Sequence, residues 1–131
     1  GIIVHSSNIG MGQIGMRMGN AVLRETLAAF GFGAETQIGL PGESGGIVPP
    51  LRRWNSYSTT SVPMGREIAV TPLQLATAFC ALVNHGILLR PRLVRAKLAA
   101  DYTPIEEFDT PEIIRRGGVP SRAGQFLRTS A

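Results

Sequence analysis

Apolar residues recur three, four and seven positions apart over residues 8–19, where Ile9, Met11, Ile14, Met16 and Met18 follow a helical period. Gly12, Gly15 and Gly19 fall on one strip of that helix. Each glycine costs a helix about 1 kcal/mol against alanine, so the strip predicts close packing of another backbone against it. Asn20 is placed to cap a second helix over 21–30, with Leu23, Leu27 and Phe30 on one face, Arg24 and Glu25 turned away, and Gly31 as the C-cap.

Residues 31–50 are rich in Gly and Pro. Within them 36–40 alternates weakly and reads as a short strand, while Leu40-Pro41-Gly42-Glu43 and Gly45-Gly46 read as turns. The hydroxyl-rich run 55–61 reads as an exposed loop. The best-specified element is 71–85: Thr71 is the N-cap, Pro72 the first helical residue, and Gln74 completes a Thr-x-x-Gln capping box. Between 72 and 83 only Gln74 and Thr77 are polar, which predicts a buried central helix ended by Gly86. Extended pieces are expected at 87–89 and 93–94, a loop at 101–109, and a short helix from Thr110-Pro111-Glu112 to Gly117-Gly118. Ser121 is placed to cap a last helix through Phe126 and Leu127. The reading is mainly α with a few short strands.

Composition narrows the function. The 131 residues make one domain, with 44% hydrophobic and 17% charged residues, as in a folded globular chain. No apolar run reaches the roughly 18 residues of a membrane span. Gly1 leads straight into Ile2-Ile3-Val4, so a segment of a longer protein is expected. The lone Cys80 excludes an internal disulfide, and two histidines without ligand spacing argue against a metal site; no cofactor is expected. Net charge is +4, yet Lys97 is the only lysine. That removes a Walker lysine, a Ser-x-x-Lys dyad and a Lys-[Ser/Thr]-Gly strand from this chain.

Three groups of residues carry candidate chemistry. Gly42-Glu43-Ser44-Gly45-Gly46 fits the Gly-x-Ser-x-Gly elbow of serine hydrolases, with Glu67 and His85 as formal triad partners. The elbow needs a helix after it, and Ile47-Val48-Pro49-Pro50 cannot supply one, so a turn is expected. Arg52-Arg53-Trp54, Tyr57 and Arg115-Arg116 interleave cations with aromatics as nucleic-acid binders do, but without a recognition pattern, so a solvated surface and no nucleic-acid partner are expected. His5-Ser6-Ser7-Asn8 precedes the first helix. Ser and Asn are ordinary helix caps; the other reading is Ser-x-Asn, a hydroxyl that relays a proton beside an amide that binds a peptide group.

Ser6-Ser7-Asn8-Ile9-Gly10 resembles the Ser-x-Asn motif that opens a helix in penicillin-binding protein transpeptidases. The order of the later motifs strengthens the resemblance: Phe30-Gly31-Phe32-Gly33, Thr36, Leu40-Pro41-Gly42-Glu43, Gly46 and Trp54, then Met64-Gly65 with 68–76, Asn84-His85-Gly86 and 90–94. It covers residues 4–95, is closest to the class B, monofunctional type, and leaves 96–131 as loop and terminal helices.

The resemblance implies the helical lobe of the β-lactamase/transpeptidase-like α/β fold, with the central sheet largely missing, and a fragment of one transpeptidase domain over 1–131. It implies a parent anchored to the bacterial inner membrane that works on its extracytoplasmic, periplasmic face, cross-linking peptidoglycan stem peptides through an acyl-enzyme. β-Lactams acylate the same serine. By the same resemblance Ser6 belongs to the proton relay, Asn8 binds the substrate or drug amide, and divisome or elongation proteins are partners of the parent. The nucleophile is not in this chain, so the isolated fragment is expected to be inactive. Arg66-Glu67 departs from the Tyr-Gly or Gln-Glu of relatives. Three alternatives stand beside this reading: a non-catalytic module of the same shape that binds peptidoglycan or a partner, a Ser44 esterase and a basic nucleic-acid binder.

Overall fold

A computed structural model describes residues 1–108 and 110–115. Its elements are α1 (Asn8–Ala29), α2 (Ser58–Ser61), α3 (Pro72–Val83), β1 (Leu88–Leu89), β2 (Ala96–Leu98), β3 (Pro104–Glu107) and β4 (Ile113–Arg115), with single 3₁₀ turns at Leu51–Arg53 and Val62–Met64. The described residues are therefore mainly helical, with two antiparallel two-stranded sheets among them, β1–β4 and β2–β3.

The two helices expected at the start are one element broken at Gly19, whose φ of 75° and ψ of 162° only glycine adopts readily. Asn20 does not cap the second run. Its side-chain amide donates to the Asn55 carbonyl at 2.9 Å, and its Oδ1 accepts from the Thr59 hydroxyl at 2.8 Å. At the far end Gly31 takes φ +83°, one residue past the Phe30 cap. Its N–H donates to Ala28 O (3.0 Å) and that of Phe32 to Leu27 O (3.0 Å), which satisfies the last carbonyls of the helix.

Gly12 and Gly15 of the glycine strip pack closely as their spacing predicts, whereas a Cβ on Gly19, at the kink, would meet nothing within 4 Å. A Cβ on Gly15 would lie 2.0 Å from the Thr59 carbonyl oxygen, so α2 rests directly on the backbone of α1. The expectation of an exposed loop at 55–61 holds for 55–57 and is corrected for 58–61, which form α2. Ser58 and Ser61 are buried, at 0% and 2% exposure, because their hydroxyls turn inward to the carboxylate of Glu67.

Helix α3 carries the full capping box: Thr71 Oγ1 accepts from Gln74 N–H (3.1 Å) and Gln74 Oε1 accepts from Thr71 N–H (2.9 Å). The helix ends with Asn84 as its C-cap, and His85 (φ +53°) takes the left-handed position before Gly86. Ala78, Ala81 and Gln74 face inward, but Phe79 is 60% and Val83 82% exposed. The helix is thus buried on one side only, because nothing within the described residues covers the other.

Four further expectations are corrected. Residues 36–40 form no strand: Glu43 takes the amide N–H groups of Thr36 (2.6 Å) and Gln37 (3.0 Å), and Gln37 turns to φ +59°. The segment read as a loop from 101 contains β3, because Asp101 accepts from Thr103 N–H (3.1 Å) and Oγ1 (2.6 Å) and closes a hairpin onto β2. The helix expected from Thr110 is strand β4, paired with β1 through Leu88↔Arg115 and Leu89↔Ile113. The extended piece expected at 93–94 is irregular, and the strand there begins at Ala96. The helix expected after Ser121, and the end at Gly117-Gly118, lie outside the described residues.

The apolar core is small: Leu23, Ala29, Val62, Ala78, Ala81 and Leu88. Polar ties supplement it, with Arg90 bridging Gln37 and the Glu112 carboxylate (2.7 Å) to join β1–β4 to the 36–40 loop.

Candidate functional site

The start of α1 separates three similar residues into different tasks. Ser7, at φ −75° and ψ 105°, is the N-cap, and its Oγ accepts from Gly10 N–H at 3.2 Å. Ser6 and Asn8 on either side are exposed. Because the middle serine serves the helix, the outer hydroxyl and amide are available to another molecule.

Ser6 is held at φ +48°, a left-handed conformation that costs a residue with a Cβ about 1–2 kcal/mol. The turn before it enforces this, with Ser6 N–H donating to Ile3 O (3.1 Å) and Ser7 N–H to Ile2 O (2.9 Å). Ile2 folds back over Gly10, where a Cβ would meet its Cγ1 at 2.7 Å. The strain is offset by these contacts, and the turn fixes Ser6 relative to the helix axis. His5 is exposed beside it.

The formal triad is not assembled. Ser44 Oγ accepts from Gly46 N–H (3.2 Å) within its own turn, Glu67 is held by Ser58 and Ser61, and His85 sits at the end of α3. The Arg52-Arg53-Trp54 group is a 3₁₀ turn whose indole Nε1–H donates to Pro49 O (3.0 Å), an acceptor shared with Arg24 Nε (3.3 Å). Trp54 thus closes the 49–54 turn and Arg24 ties that turn to α1, while Arg52 and Arg53 stay exposed. Among the described residues no three His, Cys, Asp or Glu side chains gather as a metal site would need, and no helix is long and apolar enough to cross a membrane.

Local patterns gave no sign of the carboxylate locks. Glu43 accepts from the Thr36 hydroxyl at 2.5 Å as well as from two backbone amides. The Thr36 hydroxyl, ahead of burial and the backbone amides, sets the direction of its pKa, below the usual glutamate value. A depressed carboxylate stabilises the native state above its unfolded value, about 4.3, and that contribution is lost as pH falls through the lower native value. The Thr36 and Gln37 amides are therefore expected to keep their hydrogen-exchange protection at pH 5 and to lose it in more acid solution. Glu43→Gln should lower protection at pH 5 and remove the acid step; an unchanged acid step in that variant would refute the lock.

With this geometry in place, known proteins supply the class. The penicillin binding protein transpeptidase domain family matches residues 1–114. Penicillin-binding protein PbpB of Mycolicibacterium smegmatis is 37% identical over 115 residues, covering 88% of this chain and 18% of that protein. Peptidoglycan D,D-transpeptidase FtsI of Escherichia coli is 34% identical over 87 residues, covering 66% of this chain and 15% of that protein. Penicillin binding protein 3 from Mycobacterium tuberculosis, complexed with ampicillin, superposes with a TM-score of 0.79 at 34% identity, over 94% of this chain and 26% of that one. The chain belongs to the penicillin-binding protein transpeptidase domain family. It spans under one fifth of the length of these curated relatives.

Proposed function

We propose that residues 1–131 are part of the transpeptidase domain of a serine-type D,D-transpeptidase that cross-links peptidoglycan on the periplasmic side of the bacterial inner membrane. The observation that carries this reading is the division of labour at the start of α1: Ser7 caps the helix, and Ser6 and Asn8 project into solvent. In this reaction a serine elsewhere in the domain attacks the D-Ala-D-Ala carbonyl, the terminal D-Ala leaves, and the amine of a second stem peptide takes the acyl group. Ser6 passes a proton to or from the groups at the reacting centre, and Asn8 hydrogen-bonds the amide of the stem peptide or of a β-lactam. This chain has no Ser-x-x-Lys and no Lys-[Ser/Thr]-Gly, its single lysine lying in Val94-Arg95-Ala96-Lys97, so alone it is inactive. Divisome or elongation proteins are partners of the whole protein.

Fluorescent-penicillin labelling of the full-length protein, with this chain alongside, tests the reading. The full-length protein should label and the chain should not. Ser6→Ala should slow acylation about a hundredfold, the range of a lost proton relay, with Asn8→Ala weakening drug binding. A folded full-length protein that takes up no penicillin would instead indicate a non-catalytic module that binds peptidoglycan or a partner. Label on this chain would overturn the assignment of the nucleophile.

A further inference from the structure

We infer that Glu67 is a positioning residue for Ser6 and Asn8, an inference that rests on the transpeptidase reading above. Glu67 stands at φ +63°, a region that disfavours any side chain with a Cβ, so something must hold it there. Its carboxylate accepts hydrogen bonds from two hydroxyls of α2, Ser58 at 2.8 Å and Ser61. Both serines are buried, and the Ser58 oxygen also accepts from Asn55 N–H at 3.2 Å. One carboxylate thus satisfies both inward-facing hydroxyls of a four-residue helix.

That helix is the part that presses on α1. The Thr59 carbonyl lies 2.0 Å from where a Gly15 Cβ would be, and Thr60 Cβ 3.8 Å from the same point on Gly12. Asn20 grips α2 from the α1 side, through Thr59 and Asn55. Glu67 grips it from the other side, at the segment that runs into α3. Gly12 is about one helical turn from Asn8. The seating of α2 on the glycine strip therefore sets where the first turn of α1, and with it Ser6 and Asn8, stands against the rest of the site. Glu67 touches neither residue and acts through α2.

The experiment measures the acylation rate constant and the reversible binding constant for a fluorescent penicillin, separately, in the full-length protein. Glu67→Ala empties both hydroxyl contacts and should lower the acylation rate by about ten- to a hundredfold, since small misplacements near a reacting centre cost that much. Glu67→Gly suits the φ +63° backbone, so it folds more readily while still lacking the carboxylate, and it should show the same loss. Glu67→Gln keeps one accepting oxygen at the same reach, while its NH2 can only donate, so its rate should fall between those of Glu67→Gly and wild type. Leu88→Ala, in the core away from α2, serves as a control of comparable melting temperature and should leave the rate of the folded protein unchanged. Equal rates in wild type and Glu67→Gly, or an equal loss in the Leu88→Ala control, would overturn the inference and leave the transpeptidase reading standing. A folded wild-type protein that takes up no label would overturn both.

Discussion

Replacing Gln74 with leucine is expected to lower stability by about 2–4 kcal/mol, as three part-buried polar groups each lose a partner at roughly 1 kcal/mol. Gln74 is 1% exposed. Its side-chain amide donates to Ala34 O at 2.8 Å and to Gly45 O at 2.7 Å, and its Oε1 accepts from Thr71 N–H at 2.9 Å. One side chain therefore closes the capping box and ties α3 to two loops. Leucine fills the space but leaves two carbonyls and one N–H unpaired. Urea denaturation monitored by circular dichroism reads the loss, and a shift worth less than about 1 kcal/mol, the net value of one ordinary hydrogen bond, would refute this account. Gln74→Glu adds a signed check. An ionised carboxylate would face the two carbonyls, so its native pKa should rise above the unfolded value. Stability of that variant is then greatest in acid and is lost as pH rises from the unfolded value through the native one.

The second large effect is a difference in sign between neighbouring glycines. Gly15→Ala should cost about 2–3 kcal/mol, the overpacking penalty, even though alanine is intrinsically the better helix former. The new Cβ would stand 2.0 Å from the Thr59 carbonyl oxygen and 2.7 Å from Pro63 Cγ, and a backbone oxygen cannot rotate away. Helix α2 has to lift. Gly12→Ala is tight only against the flexible end of Met64, Cε at 3.3 Å, with Thr60 Cβ at an ordinary 3.8 Å. The helix-propensity gain of about 1 kcal/mol then dominates, leaving that variant neutral or slightly more stable. Thermal melts of the two variants side by side test the pair. Equal shifts would mean that α2 does not sit on Gly15 as described.

Family membership was legible because the motifs are local and ordered along the chain, from Ser6-Ser7-Asn8 to 90–94, and each keeps its meaning without tertiary help. The capping box of α3 was legible for the same reason: Thr71 and Gln74 are three residues apart, and the bonds between them form wherever the helix does. The Ser-x-Asn pair was legible only as a pair of alternatives, cap or site. The structure gives the cap to the middle residue, Ser7, and leaves Ser6 and Asn8 exposed on either side of it.

In each of the following cases the deciding partner lies outside the segment that was misread. Residues 55–61 look solvated because they carry hydroxyls, yet those of Ser58 and Ser61 are satisfied by Glu67, nine and six residues on. The alternation at 36–40 suggests a strand, but Glu43 takes the amides a sheet would have used. Thr110-Pro111-Glu112 starts a helix by local rules, and β1, more than twenty residues earlier, draws the next residues into a strand instead. An all-apolar α3 reads as buried, while half of it stands uncovered among the described residues. The sequence by itself determined the Thr71–Gln74 capping box, the close-packing positions Gly12 and Gly15 on α1 and the family, because these rest on groups a few residues apart. Tertiary structure alone decided which polar groups turn inward and which apolar faces are covered, because a hydrogen bond or buried surface needs a partner, and the chain brings distant partners together only on folding.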